Sequence, residues 1–190
     1  MARKFIHKYL FLLTAVGVIM AGLYWAFRSQ DQTSNRDLSN LPEGPTAGLR
    51  APDFSGTTVD GESVRISDYQ GKIVLVNFFA SWCGPCQAET PFLVEAYKNN
   101  QEDVTIIGLN LQETPAAVSA YRDDFNVPYP LVLDPEGRFV EIYHPRGLPT
   151  SWFIDRDGVI GYVHIGPMDS QLIQKILDDI RSGEQPDPFS

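Results

Sequence analysis

Apolar positions in this chain follow two rhythms between residues 51 and 183, and the alternation between them outlines a fold. Ile73-Val74-Leu75-Val76-Asn77-Phe78-Phe79 is an almost unbroken apolar run rich in β-branched and aromatic residues, the pattern of a strand covered on both faces of a sheet. Val104-Thr105-Ile106-Ile107-Gly108-Leu109-Asn110 is a second run of the same kind. Between them a helix extends to about Lys98, with Cys86, Phe92, Leu93 and Ala96 on one side. Thr114-Pro115 is a cap followed by a first-turn proline, and the helix it starts carries Val118, Tyr121, Arg122 and Phe125 on one side. Strand, helix, strand, helix in this order implies a right-handed parallel crossover. Leu131–Leu133 reads as a short strand and Arg138–Tyr143 as a short helix.

The last third changes rhythm. Thr150–Ile154 and Val159–Ile165 are strands joined by Asp155-Arg156-Asp157-Gly158, an antiparallel hairpin. Leu172, Ile173, Ile176, Leu177 and Ile180 mark an amphipathic closing helix that Gly183 ends. Ahead of the first buried strand, Thr57–Val59 and Ser63–Ile66 flank Asp60-Gly61 as an N-terminal hairpin. The class is therefore α/β: a central mixed sheet flanked by helices, a βαβ unit followed by ββα, with an added hairpin.

Outside this region the pattern is different. Tyr9–Phe27 is an uncharged run of nineteen residues, enough helix to cross a hydrocarbon core about 30 Å thick. Basic residues precede it, so the positive-inside rule puts residues 1–8 in the cytoplasm and exports the rest. The run is long, ends in Tyr24-Trp25-Ala26-Phe27 and lacks an Ala-x-Ala site, which favours an uncleaved signal-anchor over a cleaved signal peptide. Residues 28–48 are polar and aperiodic and read as a flexible tether, 49–183 as the folded domain, and 184–190 as a loose tail. Net charge is −9, yet residues 1–28 hold four cations and no acid; the remainder sets eleven Lys and Arg against all 24 acids. A domain so acidic repels nucleic acid and anionic membrane surfaces, so its substrates are expected to be other proteins.

The only two cysteines are Cys83 and Cys86, placed where the first buried strand gives way to a helix. Helix N-terminal N–H groups and the positive end of the macrodipole favour thiolate over thiol there. A zinc site would need four ligands, and His7, His144 and His164 are too scattered to complete one. A purely structural disulfide would close too short a loop to restrain the unfolded chain. A redox dithiol, with Cys83 exposed at the helix start, accounts for the context.

Four segments now carry a resemblance: Ala51-Pro52-Asp53-Phe54, Trp82-Cys83-Gly84-Pro85-Cys86, Glu89-Thr90-Pro91, and Gly147-Leu148-Pro149-Thr150-Ser151-Trp152-Phe153-Ile154-Asp155. Together and in this order they resemble the TlpA/ResA-like group of membrane-anchored extracytoplasmic thiol–disulfide oxidoreductases, which have a thioredoxin-like fold. The resemblance implies a cis Pro149 packed opposite the dithiol, with Leu148 offering its backbone to an incoming peptide. Trp82 is expected as a partly exposed platform and Gly166 as a third wall, completing with Gly84 and Pro85 a substrate groove. No cofactor and no metal are expected. His144 and His164 are assigned no catalytic role.

In the expected chemistry, Cys83 attacks a target disulfide and Cys86 resolves the mixed disulfide. Setting Cys86 at zero and advancing about 100° per residue places Glu89 in an arc with Phe92, Ala96, Leu93 and Tyr97. Burial there disfavours the charged carboxylate. Thioredoxins carry a buried Asp on the preceding strand where this chain has Asn77, which cannot carry a proton; the extracytoplasmic group resembles this chain in having the acid at Glu89. Glu89 is thus assigned to proton transfer with Cys86. Three functional classes remain open: a reductase of extracytoplasmic disulfides, including those of apocytochrome c; a net oxidase or isomerase; and a peroxide-reducing redoxin. The last predicts Pro-x-x-x-Thr/Ser-x-x-Cys, which neither cysteine has. A reductase on the outer side would need a membrane protein as electron donor.

Overall fold

The apolar run at residues 73–79 is the middle strand of a five-stranded sheet. A computed structural model describes residues 40–184. The expected cytoplasmic segment 1–8, anchor 9–27, tether residues 28–39 and tail residues 185–190 lie outside the described residues. Among the described residues no helix is long and apolar enough to cross a membrane.

The elements run in the order β1 (Ser55–Thr57), β2 (Ser63–Arg65), β3 (Ile73–Phe79), α1 (Gly84–Asn99), β4 (Val104–Leu111), α2 (Pro115–Phe125), β5 (Leu131–Asp134), α3 (Arg138–Tyr143), β6 (Thr150–Ile154), β7 (Ile160–Ile165) and α4 (Ser170–Ser182). The large sheet is ordered β5-β4-β3-β6-β7. β3 pairs parallel with β4 and antiparallel with β6, so the βαβ and ββα halves join along it. All seven residues of β3 are buried, as a strand covered on both faces must be.

Alternate side chains serve two cores. Ile73, Leu75 and Phe79 face α1, α2 and α4 together with Leu93, Val118, Ile173 and Leu177. Val74, Val76 and Phe78 face the other way, where Phe54, Phe139, Tyr143 and Trp152 form an aromatic layer. Asn77 is a polar residue in the first of these two sets, a placement that a core strand tolerates only if its amide is bonded.

Three expectations are corrected. β1 is Ser55–Thr57 rather than Thr57–Val59, because Val59 N–H donates to Leu131 O (2.9 Å) and Thr58 bridges Val132. The free edge of β5 thus captures residues assigned to the hairpin. Ile66 opens a short 3₁₀ turn, Ile66–Tyr69, instead of ending β2; the Ser67 N–H and hydroxyl bond the Asp53 carboxylate there. The last part of the tether, residues 40–48, is built into the folded unit. Gly48 N–H donates to Ile160 O (2.8 Å) and Trp152 Nε1–H to Pro45 O (2.8 Å), so this segment covers part of the β7 edge.

Candidate active site

β3 ends at Phe79, the chain turns through Ala80-Ser81-Trp82, and α1 begins at Gly84. Cys83 is the N-cap of α1, with extended backbone, and its Sγ accepts from Cys86 N–H at 3.2 Å. The N-terminal N–H that the helix cannot satisfy internally therefore points at a sulfur, the arrangement that stabilises a thiolate. Pro85 occupies the first turn, where a missing N–H leaves no bond unmade. Cys83 and Cys86 are joined as a disulfide with Cα atoms 5.2 Å apart.

Cys83 is not exposed as expected: only 5 % of its surface is open, and it belongs to the core under α1. Its disulfide partner Cys86 is buried as well. The open surface lies on its neighbours, with Trp82 68 % exposed and Gly84 and Pro85 also exposed.

The loop bearing Trp82 is fastened on two sides. Ser81 N–H donates to Glu113 Oε2 (2.7 Å), the Ser81 hydroxyl donates to the other oxygen, and Asn110 Nδ2 donates to Oε2 (2.6 Å). From α1, Gln87 Nε2 donates to Ser81 O (2.7 Å). Glu113 follows the end of β4, next to the end of β3; the carboxyl ends of adjacent parallel strands are where α/β sites assemble, and that signal was available in the sequence.

The Leu148–Pro149 bond is cis. Pairing of Phe78 with Thr150 sets Pro149 level with the end of β3, and Gly166 N–H donates to Pro149 O (2.9 Å). Gly166 has φ +105°, which a side chain at that position would strain. Leu148, Pro149 and Gly166 are thus brought together by β6 and β7, while Trp82, Gly84 and Pro85 come from the β3–α1 turn.

Glu89 is buried beneath this turn, only 1 % exposed. Met168 N–H donates to its Oε1 (3.0 Å) and Asn77 Nδ2 to its Oε2 (3.0 Å); Asn77 Nδ2 also reaches Ser151 Oγ (2.9 Å). Burial pushes the carboxyl up to about 7, and the two donors pull against that rise without cancelling it. Asn77, which cannot carry a proton itself, is one of the two groups that hold the acid. Ser151 and Met168 were missed.

The arc that located Glu89 was correct for Leu93 and wrong for Phe92, which is 37 % exposed. The buried face of α1 runs through Cys86, Glu89, Thr90, Leu93 and Val94. Among the described residues no cluster of three His, Cys, Asp or Glu could hold a metal. His144 ends α3 in a left-handed conformation, and burial lowers the His164 pKa although the ring bonds the Pro167 carbonyl.

A thioredoxin-like sheet with a dithiol at the N-terminus of its first long helix defines a thiol–disulfide oxidoreductase. Residues 46–179 match the Redoxin family model, and the chain belongs to that family. It is similar to the thiol-disulfide oxidoreductase ResA of Geobacillus kaustophilus, 33 % identical over 135 residues covering 70 % of this chain and 78 % of that protein. The ResA of Bacillus cereus is 28 % identical over 178 residues, 93 % of this chain and 96 % of its own. Among solved structures, a putative thiol:disulfide interchange protein DsbE from Chlorobium tepidum superposes with a TM-score of 0.66 at 29 % identity, covering 71 % of this chain and 98 % of that one.

Proposed function

We propose that this oxidoreductase works on the outer face of the cytoplasmic membrane as a reductase of disulfides in exported proteins, those of apocytochrome c included. The observation that carries the proposal is the N-cap cysteine whose sulfur accepts the Cys86 N–H, with a carboxyl poised at about 7 buried on the same helix three residues further on. The uncharged run 9–27 behind a basic N-terminus supports the location, and the match to a ResA over 93 % of the chain includes at least part of that run.

In the reduced enzyme the Cys83 thiolate attacks one sulfur of the target, forms the mixed disulfide and expels the first target thiolate. Cys86 gives its proton to the Glu89 carboxylate and attacks Cys83 Sγ. The Cys83–Cys86 disulfide forms, the second target thiolate leaves, and protons from Glu89 and solvent complete two target thiols. Two electrons have passed from enzyme to target, so each cycle ends in the disulfide state and needs a membrane thiol-transfer protein to restore the dithiol. The target lies as an extended segment between Trp82 and the backbone at Leu148 and Pro149.

Substrate trapping tests this. A Cys86→Ser chain expressed in cells should accumulate exported proteins covalently on Cys83, apocytochrome c among them. Trapping of no exported protein would refute the proposal.

A further inference from the structure

Cys86 is held from a direction the mechanism above does not use. Its carbonyl accepts from the Thr90 hydroxyl at 2.8 Å and lies 3.3 Å from the Tyr121 hydroxyl, and those two hydroxyls bond one another. Three oxygens here share two protons. The phenol, as the stronger acid, donates to Thr90 Oγ1, and Thr90 donates to the Cys86 carbonyl. Both side chains are buried, and the Tyr121 ring packs against Phe79 (centroids 4.9 Å apart) and Phe125 (4.7 Å). Burial, with the nearby Glu89 and Glu113 charges adding to it, pushes the Tyr121 hydroxyl up to about 12, so it remains a donor at every working pH.

The helix itself explains why such a tie has something to do. Pro91 lies inside α1 and has no N–H, so the Gln87 carbonyl loses its bond within the helix one residue after Cys86. The Thr90 hydroxyl bonds back to the carbonyl four residues earlier, one position before the bond that Pro91 removes. The turn carrying Cys86 is therefore joined to the rest of α1 by one backbone bond fewer than an unbroken helix would give it. Its position is set by side chains: Gln87 to the Ser81 loop, Glu89 to Asn77 and Met168, and Thr90 with Tyr121 to α2.

We propose that Tyr121 and Thr90 are positioning residues for the resolving step, acting in series to hold the Cys86 backbone so that its sulfur stays aligned with the Cys83 mixed disulfide. The inference rests on the order of attack proposed above, Cys83 first and Cys86 second. Loss of the tie lowers the effective concentration of Cys86 at the bond it must break, and disturbs the attack by Cys83 less, only through the Cys86 N–H that faces Cys83 Sγ.

The test uses the full-length chain, reduced with dithiothreitol, freed of it and mixed with oxidised glutathione. Cys83 thiolate breaks the glutathione disulfide and releases one glutathione; Cys86 then breaks the protein–glutathione bond and releases the second, the protein losing two electrons. Acid quenching and mass spectrometry count the mixed disulfide against time. Tyr121→Phe and Thr90→Val keep ring and branch volume while removing the hydroxyls. Each should slow release about three- to tenfold, the scale of one hydrogen bond, and slow formation of the mixed disulfide by clearly less. The double variant should be no slower than the worse single one, because the two hydroxyls form one chain, and Thr90→Ser should restore wild-type release. Release at the wild-type rate in both single variants would overturn the proposal, as would equal slowing of formation and release. A Cys86→Ser control that gathers no glutathione on Cys83 would overturn the order of attack and this inference with it; accumulation there with unchanged release in Tyr121→Phe and Thr90→Val would overturn this inference alone.

Discussion

Replacing Glu89 by glutamine removes a charge while keeping the shape of the side chain, and the structure fixes what that should do to stability as well as to rate. The carboxyl titrates at about 7 in the fold against an ordinary 4.5, with burial the dominant cause. Ionising it in the folded protein therefore costs about 3 kcal/mol more than in the unfolded chain. Because the folded pKa is the raised one, the fold binds more protons than the unfolded chain between the two values. The contribution is fully present below about 4.5 and is lost as pH rises through about 7. The glutamine variant would carry no such loss. Its amide must still meet two donors, Met168 N–H and Asn77 Nδ2, that a carboxylate accepts from. Rotation of the Asn77 amide offers Oδ1 to the new NH₂, and the Ser151 hydroxyl, now acceptor for Asn77, can turn to donate. Taking about 1 kcal/mol for this adjustment, Glu89→Gln should be about 2 kcal/mol more stable than wild type at pH 8 and slightly less stable at pH 4.5. Urea unfolding of the oxidised proteins from pH 4.5 to 8.5 measures the difference. The same variant should slow resolution by Cys86 at neutral pH by about tenfold or more, the scale of a lost general base. Stability curves that run parallel across this range, or a wild type that gains on the variant as pH rises, would refute the argument from burial.

Once the disulfide is reduced, Cys83 should alkylate well ahead of Cys86 in brief iodoacetamide treatment, since Gly84 and Pro85 leave its side of the turn open; mass mapping that finds Cys86 labelled first would reverse the roles. The Gly84-Pro85 spacer leads to a reducing couple, nearer thioredoxin at about −270 mV than disulfide isomerases at about −180 mV, and equilibration with glutathione reads it. A value at or above the isomerase figure would favour the net oxidase. Membranes washed in high salt should retain the protein with residues 9–27 intact, whereas a soluble product beginning near Arg28 would show a cleaved signal.

What the sequence determined by itself was everything carried by short-range pattern. The unbroken apolar run of β3, the cysteines at the start of α1, the hairpin turn at Asp155–Gly158 and the amphipathic closing helix follow from periodicity and capping, which act over a few residues. Helical spacing likewise placed Glu89 inward beside Cys86, although it turned Phe92 inward too, because an arc drawn from one helix does not know which neighbours cover it. Tertiary structure alone decided the surroundings of that acid. Asn77 and Ser151 are 74 residues apart in sequence and strand register brings them together, whereas Glu89 and Met168, 79 apart, meet where the loop ahead of α4 packs against α1. The capture of Val59 by β5, the covering of β7 by residues 40–48 and the bond between Tyr121 and Thr90 that ties the Cys86 carbonyl to α2 have a tertiary origin too. Local propensity chooses an element, but the partners of a buried polar group are chosen by whichever distant element packs against it, since a buried donor or acceptor left unpaired costs more than any local preference returns.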